Sequence, residues 1–206
     1  MNTDLYKTIA HSSEGIFKDR GSKFIALAFP VVNENDITFC LEKVKKQYFD
    51  ARHHCYAWRL GILPQQHYRA NDDGEPSNSA GQPIYGQIRS KDLTNILIVV
   101  VRYFGGTLLG VGGLINAYRT AASEALNNTQ IIEKRVNNHI TISYPYPVMN
   151  EVMKIIKDEK LEQINQKFEM NCELTLIVGM MDSEKICQKL NKVESLIISD
   201  IQKCIF

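Results

Sequence analysis

One short stretch of the sequence constrains the fold more than any other. An apolar run at 96–101 is followed by five glycines within nine positions, and a helical pattern begins directly after them. The glycines are Gly105, Gly106, Gly110, Gly112 and Gly113. A buried strand, a glycine-rich loop and a helix in this order form a layout that many proteins use to bind a phosphate group.

Two nucleotide-binding motifs are excluded by the residues of this loop. Gly105 and Gly110 have the glycine spacing of a Walker A loop, but Val111 and Gly112 stand where lysine and a hydroxyl residue are required. The dinucleotide motif that would start at Gly110 needs a third glycine at the position of Ile115. Hydrolysis of a nucleoside triphosphate by a P-loop mechanism is therefore not expected.

Two interpretations of the loop stay open. Several backbone N–H groups at the start of a helix can bind an anion without any side chain, and Arg102 and Arg119 flank the loop in sequence. Alternatively, the glycines only provide positive φ angles and a close approach of strand and helix. The first interpretation predicts an anion-binding or partner-binding surface, and the second predicts architecture alone.

Composition limits the class of protein. The chain has 206 residues with 44% hydrophobic and 23% charged residues, values typical of a folded domain, and its net charge of +1 excludes a polycation that wraps nucleic acid. Its five cysteines are odd in number and include no CxxC pair, which indicates reduced thiols. The N-terminal residues lack the apolar core of a signal peptide, and no apolar run reaches the roughly 18 residues that span a bilayer. We therefore expect a cytoplasmic protein with no membrane partner.

The arginines are distributed unevenly. All eight precede residue 136, and the last third of the chain uses only lysine as a cation. The guanidinium group is a planar fork that matches phosphate and carboxylate, whereas the lysine ammonium is a hydrated point charge. If the protein recognises an anion by geometry, the N-terminal part is expected to do so.

Hydrophobic patterning predicts mixed strands and helices in the first part of the chain. Strands are predicted at 6–17, 23–29, 53–60 and 96–101, and helices at 37–48, 84–88 and 114–126. The first two strands flank a turn at 18–21, and Asn35 and Asp36 are candidates to cap the first helix. These elements predict an α/β or α+β sandwich over residues 1–132.

The second part of the chain predicts a separate domain over residues 137–206. Strands are predicted at 139–144, 163–168, 173–178 and 196–205, and helices at 147–157 and 183–190, the latter capped by Asp182 and Ser183. This βαββαβ order is that of the ferredoxin-like split motif. Residues 133–138 are interpreted as the linker.

An acidic segment lies between the predicted strand at 53–60 and the apolar run. Asp72, Asp73 and Glu75 place three carboxylates within four residues. Carboxylates in this density can bind a metal or act as acid and base. They can equally form a solvated turn that caps backbone N–H groups of the following residues, or contact a partner.

The strand at 53–60 carries a basic and aromatic sequence. Residues 52–58 read RHHCYAW, with Arg52, His53 and His54 leading into Cys55. Zinc would need further ligands, and no second cluster of metal-ligating residues follows. A Cys–His nucleophile pair needs a contact that neighbours on one strand seldom make. The strand is interpreted as core and surface packing, with a basic and aromatic face suited to RNA.

Three blocks of sequence resemble a known family. They are ARHHCYAWRLG at 51–61, DDGEPSNSAGQP at 72–83 and VVVRYFGGTLLGVGGLINAY at 99–118. Their order and spacing are similar to those of the IMPACT family, in its bacterial YigZ-like branch. The resemblance implies an N-terminal ribosomal-protein-like βαβ domain, as in domain IV of elongation factor G, and a ferredoxin-like C-terminal domain, as in its domain V. It also implies a setting linked to translation or nucleic acid, without a defined reaction.

Together these observations predict an α+β binding protein of two domains that contacts RNA or the ribosome. Phosphate is expected to bind arginine and backbone N–H groups, and Tyr103 or Phe104 is expected to stack on bases. The predicted surface comprises Arg52, His53, His54, Arg102, Tyr103, Gly105, Gly106, Gly110, Gly112, Gly113 and Arg119. No catalytic residue, metal or cofactor is predicted.

Two rivals to this interpretation remain open. An enzyme acting on a small phosphorylated or carboxylated molecule would use Asp72, Asp73, Glu75 and the histidines. A protein-interaction module would bind a protein partner and would have no anion site.

Overall fold

The computed structural model describes residues 4–62, 65–169 and 171–204 and confirms an α+β chain with two domains. One compact unit is Tyr6–Lys134, called the N-terminal domain below. The other, called the C-terminal domain, runs from Arg135 onward and includes residues 4 and 5.

Seven strands and three helices form the N-terminal part of the described chain. The strands are β1 (Leu5–Ile9), β2 (Ser13–Asp19), β3 (Ser22–Pro30), β4 (His53–Leu60), β5 (His67–Asn71), β6 (Ile96–Tyr103) and β7 (Ile131–Arg135). The helices are α1 (Glu34–Gln47), α2 (Gly81–Ser90) and α3 (Gly110–Asn127). Five strands form a sheet in the order β2-β3-β6-β4-β5, and β1 pairs with β7 in a separate two-stranded sheet.

The centre of the large sheet is a βαβ unit with a strand inserted into it. β6 pairs antiparallel with both β3 and β4, so β3 and β4 run parallel to each other and α1 connects them. Residues 96–102 of β6 are all buried. The apolar run in the sequence therefore corresponds to a central strand that is covered on both faces.

Helices cover the two faces of this sheet. On one face, Phe24, Cys55 and Val100 pack against residues of α2 and α3 such as Ile84 and Tyr118. On the other face, residues of β3, β4 and β6 pack against α1. Since side chains alternate along a strand, neighbouring residues of β3, β4 and β6 belong to different cores.

α1 begins at Glu34, three residues before the predicted start. Asn33, not Asn35 or Asp36, is the N-cap, and its Oδ1 accepts a hydrogen bond of 2.9 Å from the Asp36 N–H. The Asp36 carboxylate accepts in return from the backbone N–H of Val32 at 2.9 Å. Asp36 therefore lies in the first turn of the helix and closes a reciprocal cap.

The predicted strand over 6–17 is two strands. β1 ends at Ile9, and β2 begins at Ser13 in a different sheet. Between them the backbone N–H of Ala10 donates to the carbonyl oxygen of Gln130. Apolar periodicity does not reveal this break, because both strands are partly buried and the partner β7 is far away in sequence.

The C-terminal domain has the ferredoxin-like topology. Its elements are β8 (Asn137–Pro145), α4 (Met149–Asp158), β9 (Glu162–Phe168), β10 (Asn171–Gly179), α5 (Ser183–Leu190) and β11 (Ile197–Cys204). The sheet order is β11-β8-β10-β9, with antiparallel neighbours. Val152 and Ile156 of α4 and Ile186 and Leu190 of α5 belong to the apolar core of this domain. The last residue of the strand predicted at 196–205 lies outside the described residues.

The residues interpreted as a linker are largely strand. β7 ends at Arg135, β8 begins at Asn137, and the side chain of Val136 between them is fully buried. The Val136 N–H donates to the carbonyl oxygen of Asp4, and its own carbonyl oxygen accepts from Met180. These contacts order the start of the C-terminal domain.

Asp182 does not cap α5 as predicted. It makes no side-chain cap hydrogen bond, and its carboxylate instead pairs with Arg135 at 2.8 Å. Arg135 also pairs with the fully buried carboxylate of Asp4 at 2.8 Å.

In the described part of the chain, no helix combines the length and apolar character that crossing a bilayer demands.

Candidate functional site

A buried ion pair between Arg102 and Glu75 lies at the centre of the site. Arg102 is the last buried residue of β6, and Glu75 belongs to the loop between β5 and α2. Arg102 Nη1 and Glu75 Oε1 are 2.6 Å apart, and the two side chains are only 8% and 3% exposed. Removing one partner of such a pair leaves an uncompensated buried charge, which costs about 3–5 kcal/mol. Arg102 therefore has a structural role in addition to any binding role.

Two aromatic rings lie against the Arg102 guanidinium. Its central carbon is 5.6 Å from the ring centre of Phe24 and 5.7 Å from that of Phe104. Phe24 is fully buried, whereas Phe104 is 53% exposed. The guanidinium thus supports the ring of an exposed phenylalanine through a cation–π contact.

A hydrogen-bond network continues from Glu75 into the core. The hydroxyl of Tyr118, on α3, donates to Glu75 Oε1 at 2.8 Å. The thiol sulfur of Cys55, on β4, lies 3.3 Å from that hydroxyl and 2.9 Å from the carbonyl oxygen of Asp72. Burial raises the pKa of both the Cys55 thiol and the Tyr118 hydroxyl far above their ordinary values. Both groups stay protonated at neutral pH, so neither is an activated nucleophile or base.

The carboxylate of Asp72 stabilises the start of α2. It accepts hydrogen bonds from the backbone N–H groups of Asn78 at 2.8 Å, Ala80 at 3.0 Å and Gly81 at 2.8 Å. Ala80, at the N-cap, has no side chain that could do so. Of the alternatives that the acidic segment left open, the structure favours the capping turn for Asp72.

Asp73 holds both histidines of β4 in place. Its Oδ2 accepts from the backbone N–H of His54 at 2.6 Å and lies 3.9 Å from His54 Nδ1. Its carbonyl oxygen lies 2.8 Å from His53 Nδ1. His54 is buried, and its Nε2 lies 3.1 Å from the carbonyl oxygen of Tyr48. His54 is therefore a packed residue, whereas His53 is half-exposed.

The contact to Asp73 determines the tautomer of His53. A carbonyl oxygen can only accept, so His53 Nδ1 must carry the proton that it donates. In the neutral ring Nε2 is then an acceptor. No described residue makes a hydrogen bond to this atom.

The cleft is defined by Arg52, His53, Arg102, Phe104 and Leu108, which line a cavity of about 210 Å³. Phe104 and Leu108 are 53% and 81% exposed and supply its apolar wall. Arg52 is exposed and forms no ion pair with a described residue. The cleft therefore combines cationic groups, one hydrogen-bond acceptor and an open aromatic ring.

The five glycines of the loop have different structural roles. A Cβ on Gly105 would lie 1.8 Å from the backbone of Gly21, so this glycine permits a close approach to the β2–β3 turn. Gly106 and Gly110 have φ angles of +88° and +69°. A Cβ on Gly113 would lie 3.0 Å from the side chain of Leu109, whereas one on Gly112 would meet nothing within 4 Å. Four of the five are thus accounted for by the fold, and Gly112 is not.

The start of α3 is open. The residue before it, Leu109, provides no side-chain cap, and its first turn contains no acidic residue. Gly110, Val111 and Gly112 are exposed. Such a helix end has free N–H groups and a positive partial charge.

Tyr103 and Arg119 lie apart from the buried network. Arg119 is exposed on α3. The hydroxyl of Tyr103 donates to Asp50 at 2.7 Å, and this hydrogen bond raises the pKa of Tyr103 to about 12. The side chain of Tyr103 is therefore engaged on the face of the sheet that α1 covers, whereas the ring of Phe104 is exposed.

Sequence reasoning missed the partners of the central ion pair. The three carboxylates of the acidic segment were treated together, and the one that pairs with Arg102 is Glu75. Neither Tyr118 nor Leu108 was among the predicted site residues. The proximity of Glu75, Arg102 and Tyr118 depends on tertiary packing and has no local sequence signal.

Across residues 4–62, 65–169 and 171–204, no three His, Cys, Asp or Glu side chains are grouped so as to hold a metal ion.

Comparisons with known proteins match both the sequence and the fold. Residues 20–126 match the Impact N-terminal domain family. The chain is 33% identical over 156 residues to the IMPACT family member YvyE of Bacillus subtilis, covering 75% of this chain and 71% of that protein. It is 39% identical over 107 residues to the IMPACT family member YigZ of Escherichia coli, covering 52% of each. A crystal structure described as a hypothetical protein is 25% identical, with a TM-score of 0.69 over 98% of both chains.

Proposed function

Because the chain belongs to the IMPACT family, with relatives of the bacterial YigZ type, we propose that it acts in the cytoplasm as an RNA- or ribosome-associated protein linked to the regulation of translation. The observation that carries this proposal is the cleft. It combines Arg52 and Arg102 with the exposed ring of Phe104 and the exposed side chain of Leu108. An exposed aromatic ring between cationic groups is poorly explained by the stability of the fold alone.

The chemistry of the cleft matches that of RNA. Proteins contact phosphate mainly through arginine, lysine and backbone N–H groups. They recognise unpaired bases by stacking them on aromatic side chains or guanidinium planes. Arg52 and Phe104 are suited to these two roles, since both are exposed.

The open start of α3 supports a phosphate contact beside the cleft. Its uncapped N–H groups and the absence of acidic residues in its first turn favour an anion. Leu108 belongs both to the glycine loop that precedes this helix and to the wall of the cleft. RNA would therefore bind to this one patch and not across the whole surface, as expected of a chain with a net charge of only +1.

An enzyme is less well supported by the same residues. Asp72 caps α2, Asp73 binds the backbone of His54, and Glu75 pairs with Arg102 and Tyr118. A general base needs a carboxylate or imidazole within reach of a substrate proton. The three carboxylates are already engaged within the domain, which favours binding over catalysis.

Ultraviolet crosslinking in the native cells tests the proposal. The full chain is purified under denaturing conditions, and its crosslinked RNA is compared with that of an Arg52→Ala, Phe104→Ala double variant. A Phe168→Ala variant is the matched control, because Phe168 lies in the C-terminal domain and is 54% exposed. We expect crosslinked RNA from the wild type and the control, and a strong reduction in the double variant.

Sedimentation through a sucrose gradient separates the ribosome from other RNA. A ribosome-associated protein should move with ribosomal particles at low salt and leave them as salt rises. Absence of crosslinked RNA, together with no binding of purified protein to mixed RNA at low salt, would reject the proposal in favour of a protein-interaction module.

A further inference from the structure

We propose that the cleft binds one unpaired ribonucleotide, with the base on Phe104, the phosphate on Arg52 and the ribose 2′-hydroxyl on Nε2 of His53. This inference rests on the proposed function and narrows it from RNA in general to single-stranded RNA. Its three contacts use groups that line one cavity.

The size of the cleft suits a single planar group. Pockets for drug-sized ligands enclose about 300–1,000 Å³, whereas this one encloses about 210 Å³. Bases within a duplex are stacked on their neighbours and do not offer a free face. An unpaired base can turn out of the strand and enter a cavity of this size.

Phe104 is positioned to stack on such a base. One side of its ring lies against the Arg102 guanidinium at 5.7 Å, and its side chain is still 53% exposed. Arg102 itself is fixed by Glu75, so the ring is supported by a buried group before any ligand arrives. A preorganised aromatic platform binds with a smaller loss of conformational entropy.

His53 is positioned to distinguish RNA from DNA. Its Nδ1 donates to the carbonyl oxygen of Asp73, which leaves Nε2 as an acceptor on a ring that lines the cleft. The 2′-hydroxyl of ribose is a hydrogen-bond donor that deoxyribose lacks. An acceptor at this position therefore favours a ribonucleotide.

Arg52 supplies the charge that the buried pair lacks. The charge of Arg102 is compensated by Glu75, whereas Arg52 is exposed and forms no ion pair with a described residue. A guanidinium beside an aromatic ring suits a phosphate next to a stacked base. The complementary charge in the cleft is thus located mainly on Arg52.

Fluorescence anisotropy with defined oligonucleotides tests the stacking contact. The probes are an end-labelled uridine strand of about ten nucleotides, a deoxyuridine strand of the same length, and an RNA duplex. We expect the single RNA strand to bind most tightly and the duplex most weakly. Phe104→Ala should weaken binding of the single strand about tenfold, while Phe168→Ala, with the same residue type and similar exposure, should leave it unchanged.

A second variant tests the 2′-hydroxyl contact. In His53→Asn the amide nitrogen can take the place of Nδ1 and keep the hydrogen bond to Asp73, while the Nε2 acceptor is lost. We expect the affinity for the RNA strand to fall to that for the deoxyuridine strand, with the latter unchanged. An equal fall for both strands would mean that His53 does not read the ribose.

The outcomes separate this inference from the proposed function. If the full chain binds RNA but prefers the duplex, or if Phe104→Ala has no effect, the single-nucleotide site is wrong and RNA binding stands. If the wild-type chain binds none of the three probes at low salt, the proposed function fails as well.

Discussion

At the scale of single residues, two arginines of the same domain are expected to behave in opposite ways. Arg102 is buried in an ion pair with Glu75, whereas Arg119 is exposed on α3. We expect Arg102→Ala to lower the free energy of unfolding by about 3–5 kcal/mol, because Glu75 would keep a buried, uncompensated charge. Arg119→Ala should change it by less than about 0.5 kcal/mol.

Urea unfolding of the two variants, followed by circular dichroism, measures both values on the full chain. If Arg102→Ala were as stable as Arg119→Ala, the ion pair would not contribute to the fold. Arg102 would then be free to act only as a binding residue.

The tyrosine hydroxyls provide a second contrast between buried and exposed contacts. Tyr118 is fully buried and donates to Glu75, whereas Tyr103 donates to Asp50 near the surface. A hydrogen bond to a charged group contributes about 1.5–3 kcal/mol when buried. We therefore expect Tyr118→Phe to destabilise the chain by about that amount and Tyr103→Phe by less than about 1 kcal/mol. Calorimetry measures the unfolding temperature of each variant. Equal midpoints for Tyr118→Phe and Tyr103→Phe would mean that the buried hydrogen bond contributes no more to stability than the exposed one.

At the level of secondary-structure elements, the glycine loop contains both a glycine that the fold requires and a glycine that is exposed at the start of a helix. Gly105 lies against the turn between β2 and β3, whereas Gly112 lies in the exposed first turn of α3. We expect Gly105→Ala to destabilise the N-terminal domain severely, since its Cβ would lie 1.8 Å from the backbone of Gly21. Gly112→Ala should be neutral or stabilising by up to about 1 kcal/mol, because alanine has the higher helix propensity.

Affinity for RNA then separates the two interpretations of the loop. If a phosphate approaches the first turn of α3, the added methyl group of Gly112→Ala should weaken RNA binding in a chain that is fully folded. Unchanged affinity in this variant would leave the glycines as architecture alone. Affinity is measured by anisotropy with the same uridine strand.

At the scale of the whole molecule, the balance of charge makes the salt dependence of binding informative. Seven of the eight arginines lie in the N-terminal domain, and Arg135 pairs with Asp4 and Asp182 in the C-terminal domain. For single strands, the slope of log affinity against log salt changes by about 0.7 for each phosphate contact. We expect an Arg52→Ala, Arg119→Ala double variant to lower the magnitude of this slope by up to about 1.4.

A matched pair of cations provides the control for this measurement. Lys154 and Lys157 are exposed on α4 of the C-terminal domain. The Lys154→Ala, Lys157→Ala variant should keep the wild-type slope, because its charge change is the same but its position is not. A reduction in this variant equal to that in the arginine variant would mean that binding follows total charge and not the positions of Arg52 and Arg119.

Much of the secondary structure follows from the sequence alone. The strand predicted at 53–60 coincides with β4, and the βαββαβ order of the C-terminal domain is the observed one. These elements have strong apolar periodicity, which is a local property of the chain. By contrast, β5 was missed, because it is an exposed edge strand whose only sheet partner, in the described chain, is β4.

Residue patterns within short windows were enough to predict most of the helices and strands, the two-domain α+β class and the family resemblance. Which polar groups meet was set by tertiary packing alone. Arg102 and Glu75 are 27 positions apart, and Tyr118 and Glu75 are 43 apart. The physical reason is that a buried charge must find a partner, but which carboxylate it finds depends on how strand, loop and helix pack.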